Sequence, residues 1–173
     1  MKIIRIIVLL LIIVSCEKEN EYFLNFDEVV HYKIEDSLIN SIIHKEKKTE
    51  AESITEHFVF DWTDDGPITK KMITSLDHTL YTMYPLDTIH NWKLREIFKE
   101  DEIIFENNRT CEPVYRDMLV FKNKGKIIGL AKLCFDCEIS DFMGTNADTK
   151  NFGGSQEFDR LRKIFEPGSR RDQ

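Results

Sequence analysis

The sequence predicts a single α+β domain: a small, mainly antiparallel sheet with a C-terminal β-hairpin followed by a terminal helix. Three observations carry this expectation. Short β-branched and aromatic runs are interspersed with stretches that repeat every three or four residues, and no regular βαβ alternation appears. Residues 116–122 and 126–135 read as strands on either side of a turn at Asn123-Lys124-Gly125, which makes a hairpin. Phe158, Leu161 and Phe165 then form a last helical stripe. A chain of 173 residues suits one domain, and a hydrophobic share of 42% with 12 Phe supplies enough apolar surface to offset the entropy of ordering it. The formal charge of −7 argues against a nucleic-acid partner, which needs a cationic face.

The elements follow in order. Val29-Val30-His31-Tyr32-Lys33-Ile34 reads as a strand between acidic pairs. Leu38, Ile39, Ile42 and Ile43 make a helical stripe that Asp36 or Ser37 could cap, and residues 45–52 are a charged loop or the outer part of that helix. His57-Phe58-Val59-Phe60-Asp61-Trp62 reads as a second strand, stopped by Asp64-Asp65-Gly66-Pro67. Pro67 suits the first turn of a helix whose apolar positions are Ile68, Met72, Leu76 and Leu80. Residues 86–100 read as helical, although Trp92 and Leu94 sit off the stripe, and Ile103-Ile104-Phe105 as a short strand. After the hairpin, residues 142–154 read as loop. Ser155 caps the last helix, its acidic start and basic end match the helix dipole, and Pro167-Gly168 ends it.

The N-terminus carries a different kind of signal. Lys2 and Arg5 precede an unbroken apolar run, residues 6–14, that is too short to span a bilayer and suits the apolar region of a signal peptide. The run ends at Ile13-Val14-Ser15-Cys16, which resembles the lipobox of bacterial lipoproteins. In that family the Cys sulfur is diacylglycerylated and the chain is cleaved before it, so the resemblance implies a signal peptide at 1–15, a lipidated Cys16 with a polar tether at 16–21, and a globular domain at 22–173. The acidic Glu17-Lys18-Glu19-Asn20-Glu21 resembles the export signal of surface lipoproteins in Bacteroidota; a plain solvated spacer is the other reading. Cleavage removes two cations and no acid, taking the charge from −7 to −9. Such a body is repelled by anionic lipid, so the expected membrane contact is the lipid on Cys16 rather than the protein surface. The implied location is the cell envelope, at the outer membrane, with the face left open.

Three cysteines remain. An oxidising compartment favours one disulfide and leaves an odd thiol. If Asn123-Lys124-Gly125 is a three-residue turn, Lys122 faces Lys126, and the same register brings Cys111 opposite Cys137, close enough to bond. Pro113 could end the ladder first. The rival is Cys134-Phe135-Asp136-Cys137, a C-x-x-C with the spacing of thiol–disulfide enzymes. Its following acidic residues would raise a thiol pKa, and the strand–helix setting of such enzymes is missing. Zinc held by the three thiolates and a His is chemically allowed, but oxidation competes with it and no His is near in sequence.

Other constellations are weaker. Asp61-Trp62-Thr63-Asp64-Asp65-Gly66 half-matches the start of a calcium loop, but Met72 stands where the bidentate Glu belongs, and a helix-capping turn explains it better. His31, His44, His57, His78 and His90 show no metal-pair spacing and read as ordinary surface or partly buried residues. No nucleophile elbow, Walker loop or dinucleotide fingerprint occurs. Asp36-Ser37-Leu38 and Asp87-Thr88-Ile89 resemble the O-glycosylation tripeptide of exported Bacteroidota proteins, and serve equally as helix caps. Thr110-Cys111, Tyr115-Arg116-Asp117, Ile127-Ile128-Gly129, the C-x-x-C and the loop from Gly144 to Gly153 together resemble a group of small uncharacterised Bacteroidota proteins, which implies no activity. The polar place to look for a site is that loop, with Thr145, Asn146, Asp148 and Asn151, and with Arg116 and Asp117 as neighbours; side-chain bonds to the loop's own backbone would explain it as well. The expected role is non-catalytic: a lipid-anchored interaction or accessory module with no cofactor or metal, meeting a protein partner in the envelope. The alternative is a thiol–disulfide protein using Cys134 and Cys137.

Overall fold

The computed structural model describes residues 22–61, 68–99, 110–154 and 156–165. Five strands, β1 (Glu28–Lys33), β2 (Thr82–Pro85), β3 (Asp117–Asn123), β4 (Lys126–Cys134) and β5 (Ile139–Met143), form one sheet in the order β2-β1-β3-β4-β5. Every neighbouring pair is antiparallel. Among the described residues there are five helices: α1 (Asp36–Ile43), α2 (Glu50–Phe60), α3 (Lys70–Leu76), α4 (Thr88–Arg95) and α5 (Glu157–Phe165). The domain is α+β, with its hairpin and terminal helix where the sequence puts them.

Strand alternation sorts the core into two clusters on opposite sheet faces. Val29, Leu119, Phe121, Ala131, Leu133 and Phe142 pack against Leu94 of α4, Phe98 just after it, Phe152, and Phe158 and Leu161 of α5. The in-between positions Met118, Val120, Leu130 and Met143 pack against Ile39 and Ile42 of α1, Phe58 and Val59 of α2, and Leu76 of α3. The first cluster is a phenylalanine stack: Phe98 lies parallel to Phe152 with centroids 5.2 Å apart, and Phe23 meets Phe142 edge-on at 5.3 Å. Each such pair adds about 0.5–1.5 kcal/mol to simple burial.

The segment leading into β1 is stitched across this face. Phe23 N–H donates to the Phe98 carbonyl at 3.0 Å, and Thr145 Oγ1 donates to the Phe23 carbonyl at 2.5 Å. Leu24 fills the space over Gly129 that any Cβ there would take. Asn123 donates to the Asn25 carbonyl, Arg95 to the Phe26 carbonyl, and Asp27 accepts from Lys124 N–H.

Several expectations are corrected. Residues 57–60 end helix α2 rather than form a strand. The helix starts in a capping box: Thr49 Oγ1 accepts from Glu52 N–H at 3.3 Å, and the Glu52 carboxylate accepts from Thr49 N–H at 2.8 Å. Its buried positions, Thr55, Phe58 and Val59, then follow helical spacing. Residues 45–49 are therefore the link between two helices. In α1 the cap position is Glu35 and makes no side-chain bond, while Asp36 is inside the helix. Helix α3 is capped by Thr69 and ends at Leu76, short of Leu80. The expected loop at 142–154 loses its first two residues to β5. Helix α4 is shorter than expected and is preceded by β2, whose residues are all exposed. The hairpin turn has two residues, Lys124 and Gly125, both at positive φ (49° and 74°), as a twisted two-residue turn requires. Asn123 therefore faces Lys126, and a bulge between Phe121 and Lys122 shifts the register again. Pro67, most of the half-matched calcium loop, the strand at 103–105, Ser155 as a cap and Pro167-Gly168 lie outside the described residues, as do Cys16 and the signal segment.

Candidate functional site

Cys111 and Cys137 are bonded, with Cα atoms 5.7 Å apart, and Cys134 is a buried free thiol. The pairing is the expected one, but the ladder does not make it. Pairing of β3 with β4 stops at Asp117 opposite Leu133, so neither bonded cysteine lies on a strand. Cys137 is instead presented by the β4–β5 turn, where Glu138 takes a φ of 52°.

That turn is fastened from several sides. Arg162 of α5 donates to the Phe135 carbonyl at 2.6 Å, reaches Glu138 at 3.3 Å and lies over the Phe135 ring. Phe135 meets Phe158 edge-on at 5.6 Å. Arg116 bonds Asp136 at 2.5 Å and also pairs with Asp36, joining the turn to the start of α1. The C-x-x-C is thus a junction of the sheet, α1 and α5. Its two sulfurs are not joined to each other, and the Cys134 side chain is packed with Tyr115 and Ile139. Among the described residues, no group of three or more His, Cys, Asp or Glu could hold a metal ion.

Two buried ionisable pairs escaped the sequence reading. Lys132 sits in the middle of β4, fully buried, directly across from Asp141 on β5. Its ammonium lies 3.4 Å from the Asp141 carboxylate, donates to the Asp61 carbonyl and stands 4.4 Å above the Tyr115 ring. Burial pushes the Lys132 pKa down, while the charges of Asp141 and Asp61 pull it partly back. Burial pushes the Tyr115 phenol up, with Asp141 and then Cys134 adding to it. On the opposite face His31 Nε2 and Asp117 Oδ1 are 2.7 Å apart, both buried. The Phe165 ring stacks on the imidazole at 4.3 Å, so this pair fastens α5 over β1 and β3. Tyr81 Oη donates to the Tyr115 carbonyl at 2.6 Å; burial raises its pKa, and the Asp117 charge raises it further. The readable signals were a Lys amid Leu130-Ala131 and Leu133-Cys134 and a His inside Val29-Val30-His31-Tyr32.

The polar loop lines a cleft of about 850 Å³, walled by Ile127, Ile128, Ile68 and the residues from Gly144 to Lys150. Thr145, Asn146 and Asp148 are on its lining and Asn151 is not. Thr145 Oγ1 accepts from Ala147 N–H at 3.0 Å and Asp148 Oδ1 from Lys150 N–H at 3.1 Å, so two of these side chains fold the loop. Gly144, at a φ of 79°, lies so close to the Ile128 carbonyl that a Cβ would collide with it. Arg116 and Asp117 take Asp36, Asp136 and His31 as partners, and neither lines the cleft.

No family model matches the chain, and comparisons with curated proteins and with solved structures gave no match. No helix among the described residues is long and apolar enough to cross a membrane.

Proposed function

We propose that this chain is a lipid-anchored protein of the cell envelope, held at the outer membrane through Cys16, whose folded domain is an interaction or accessory module. The observation that carries the reading is the Cys111–Cys137 bond. A disulfide across the sheet's turn belongs to an oxidising compartment, which is where the order of cations, apolar run and Ile13-Val14-Ser15-Cys16 would deliver the domain. The module reading is supported by where the polar groups are spent. Arg116, Arg162, His31 and Lys132 tie elements of the fold together, and Thr145 and Asp148 shape their own loop.

No observation favours the thiol-exchange alternative. A reactive thiol needs exposure and an electropositive setting, whereas Cys134 is buried and Cys137 is bonded elsewhere.

Thiol counting and intact mass of the natively produced protein test the reading together. The processed, lipidated chain has its Cys16 sulfur in a thioether. Unfolded without reductant it exposes one thiol, Cys134, and with reductant three. The unprocessed chain would expose two and four. A chain that starts at Met1, carries no acyl mass and stays in the soluble fraction overturns the proposal.

A further inference from the structure

We propose that the outward face of α4, together with Tyr22, rests in the headgroup layer of the membrane and orients the domain there; this rests on the lipid-anchor reading above. Helix α4 buries Leu94 completely, yet leaves Ile89 65% and Trp92 64% exposed. Glu96, one turn beyond Trp92, accepts from Tyr22 Oη at 3.4 Å, and Tyr22 is bridged to Lys99. Spacings of three and four put Ile89, Trp92 and Glu96 on one stripe, so the apolar run along the helix ends at Tyr22. The preceding strand, β2, is the outer strand of the sheet and exposes Met83 and Tyr84 as well.

The occupant follows from where the chain leaves the fold. Five residues separate Tyr22 from Cys16. Fully extended, that tether reaches about 20 Å, at roughly 3.3–3.6 Å per residue. An acylated Cys16 therefore brings the surface around Tyr22 to the bilayer before any other. Trp and Tyr favour the boundary between headgroups and acyl chains, having an apolar ring and a polar edge. Between Thr88 and Lys99 the cations Lys93, Arg95 and Lys99 outnumber the single carboxylate of Glu96, in a chain whose net charge is negative. Repulsion of the acidic body by anionic lipid, which argued for contact through the acyl chains alone, then acts as an orienting force that turns the rest of the domain away.

The test uses the full lipidated chain with Trp62→Phe, which leaves Trp92 as the sole tryptophan, in phosphatidylethanolamine–phosphatidylglycerol vesicles with and without brominated acyl chains. The expected result is a blue-shifted Trp92 emission, relative to soluble Cys16→Ala protein, that brominated lipid quenches. Ile89→Glu should abolish both effects while the protein still floats with the vesicles. Lipidated protein that floats but shows the emission of the soluble form overturns the inference and leaves the anchor standing. Absence of acyl mass and of flotation removes the anchor and the inference together. A blue shift that grows with concentration in soluble Cys16→Ala protein assigns the face to a second copy and overturns the inference.

Discussion

Replacing both Cys111 and Cys137 with Ser removes a crosslink between residues 26 apart in sequence, which encloses the whole β3–β4 hairpin. In the chain-entropy account, closing a loop of that size restricts the unfolded ensemble by about 12 cal/mol/K, or about 3.5 kcal/mol at 25 °C. For a domain of this size a loss of that order lowers the melting temperature by roughly 7–14 °C. The native turn is also held by Arg162, Arg116 and Phe135, so the fold should survive the change and melt earlier. Thermal unfolding by circular dichroism, with and without reductant, reads the effect. Wild type should lose the stated interval on reduction, the double variant should melt at the reduced wild-type temperature and ignore reductant, and Cys134→Ser should keep the reductant response. If Cys134→Ser abolishes that response while Cys111→Ser retains it, the bond joins Cys134 to Cys137 and the reasoning fails.

Three further outcomes are expected. Lys132→Met should cost about 3–5 kcal/mol in urea unfolding because it removes the buried cation facing the Asp141 carboxylate, whereas Lys132→Met combined with Asp141→Leu should recover most of the loss; equal costs for the single and double variants would show that the pair is not coupled. Tyr81 and Tyr115 have folded pKa values above the unfolded value near 10, so the folded protein keeps protons that the unfolded chain loses. Their contribution is complete below pH 10 and is lost as pH rises beyond it; Lys132, shifted downward, works oppositely and only up to its unfolded value of about 10.5. Stability measured between pH 10.5 and 12 should therefore fall, and fall less in Tyr81→Phe. Gly144→Ala should cost about 1–3 kcal/mol, because it combines a left-handed backbone with a clash against the Ile128 carbonyl; a melting temperature equal to wild type would refute the close packing of the loop on β4.

The strands whose apolar residues alternate or run together, β1, β3 and β4, were legible, as was α5 with its stripe of Phe158, Leu161 and Phe165. Strand β5 was not, because Asp141 points inward. Lys132 on the adjacent strand supplies a buried cation opposite it, and such compensation is invisible to a pattern that scores one strand at a time. Strand β2 has no buried side at all and leaves no alternation to read. Phe58, Val59 and Phe60 are consecutive apolar residues that suit a strand or a helix equally, and the deciding information was the Thr49–Glu52 capping box upstream. The cysteine pair was inferred from a three-residue turn and an unbroken register. The turn has two residues, the bulge shifts the ladder, and the bond forms beyond the ladder's end. The pair was right because a turn after β4 returns the chain to the same neighbourhood, which is weaker information than register. For the site, the loop was a fair place to look, since it lines the cleft, whereas Arg116 and Asp117, expected as its polar neighbours, pair with Asp36, Asp136 and His31 and do not line it.

The way the domain receives its N-terminal segment bears on the anchor reading. A tether joined to lipid loads the fold at Tyr22, and a chain that ran straight from there into an edge strand could be peeled away one residue at a time. Here Phe23, Asn25, Phe26 and Asp27 are bonded to three separate parts of the fold: the end of α4 and the residues just after it, the β3–β4 hairpin, and the loop after β5. Phe23 and Phe26 are also buried among Phe98, Phe142, Phe152 and Phe121. The strand that follows, β1, is interior to the sheet, paired with β2 on one side and β3 on the other. Detaching the segment therefore requires several bonds and a phenylalanine cluster to fail at once, and local opening at this terminus should cost a large part of the global unfolding free energy.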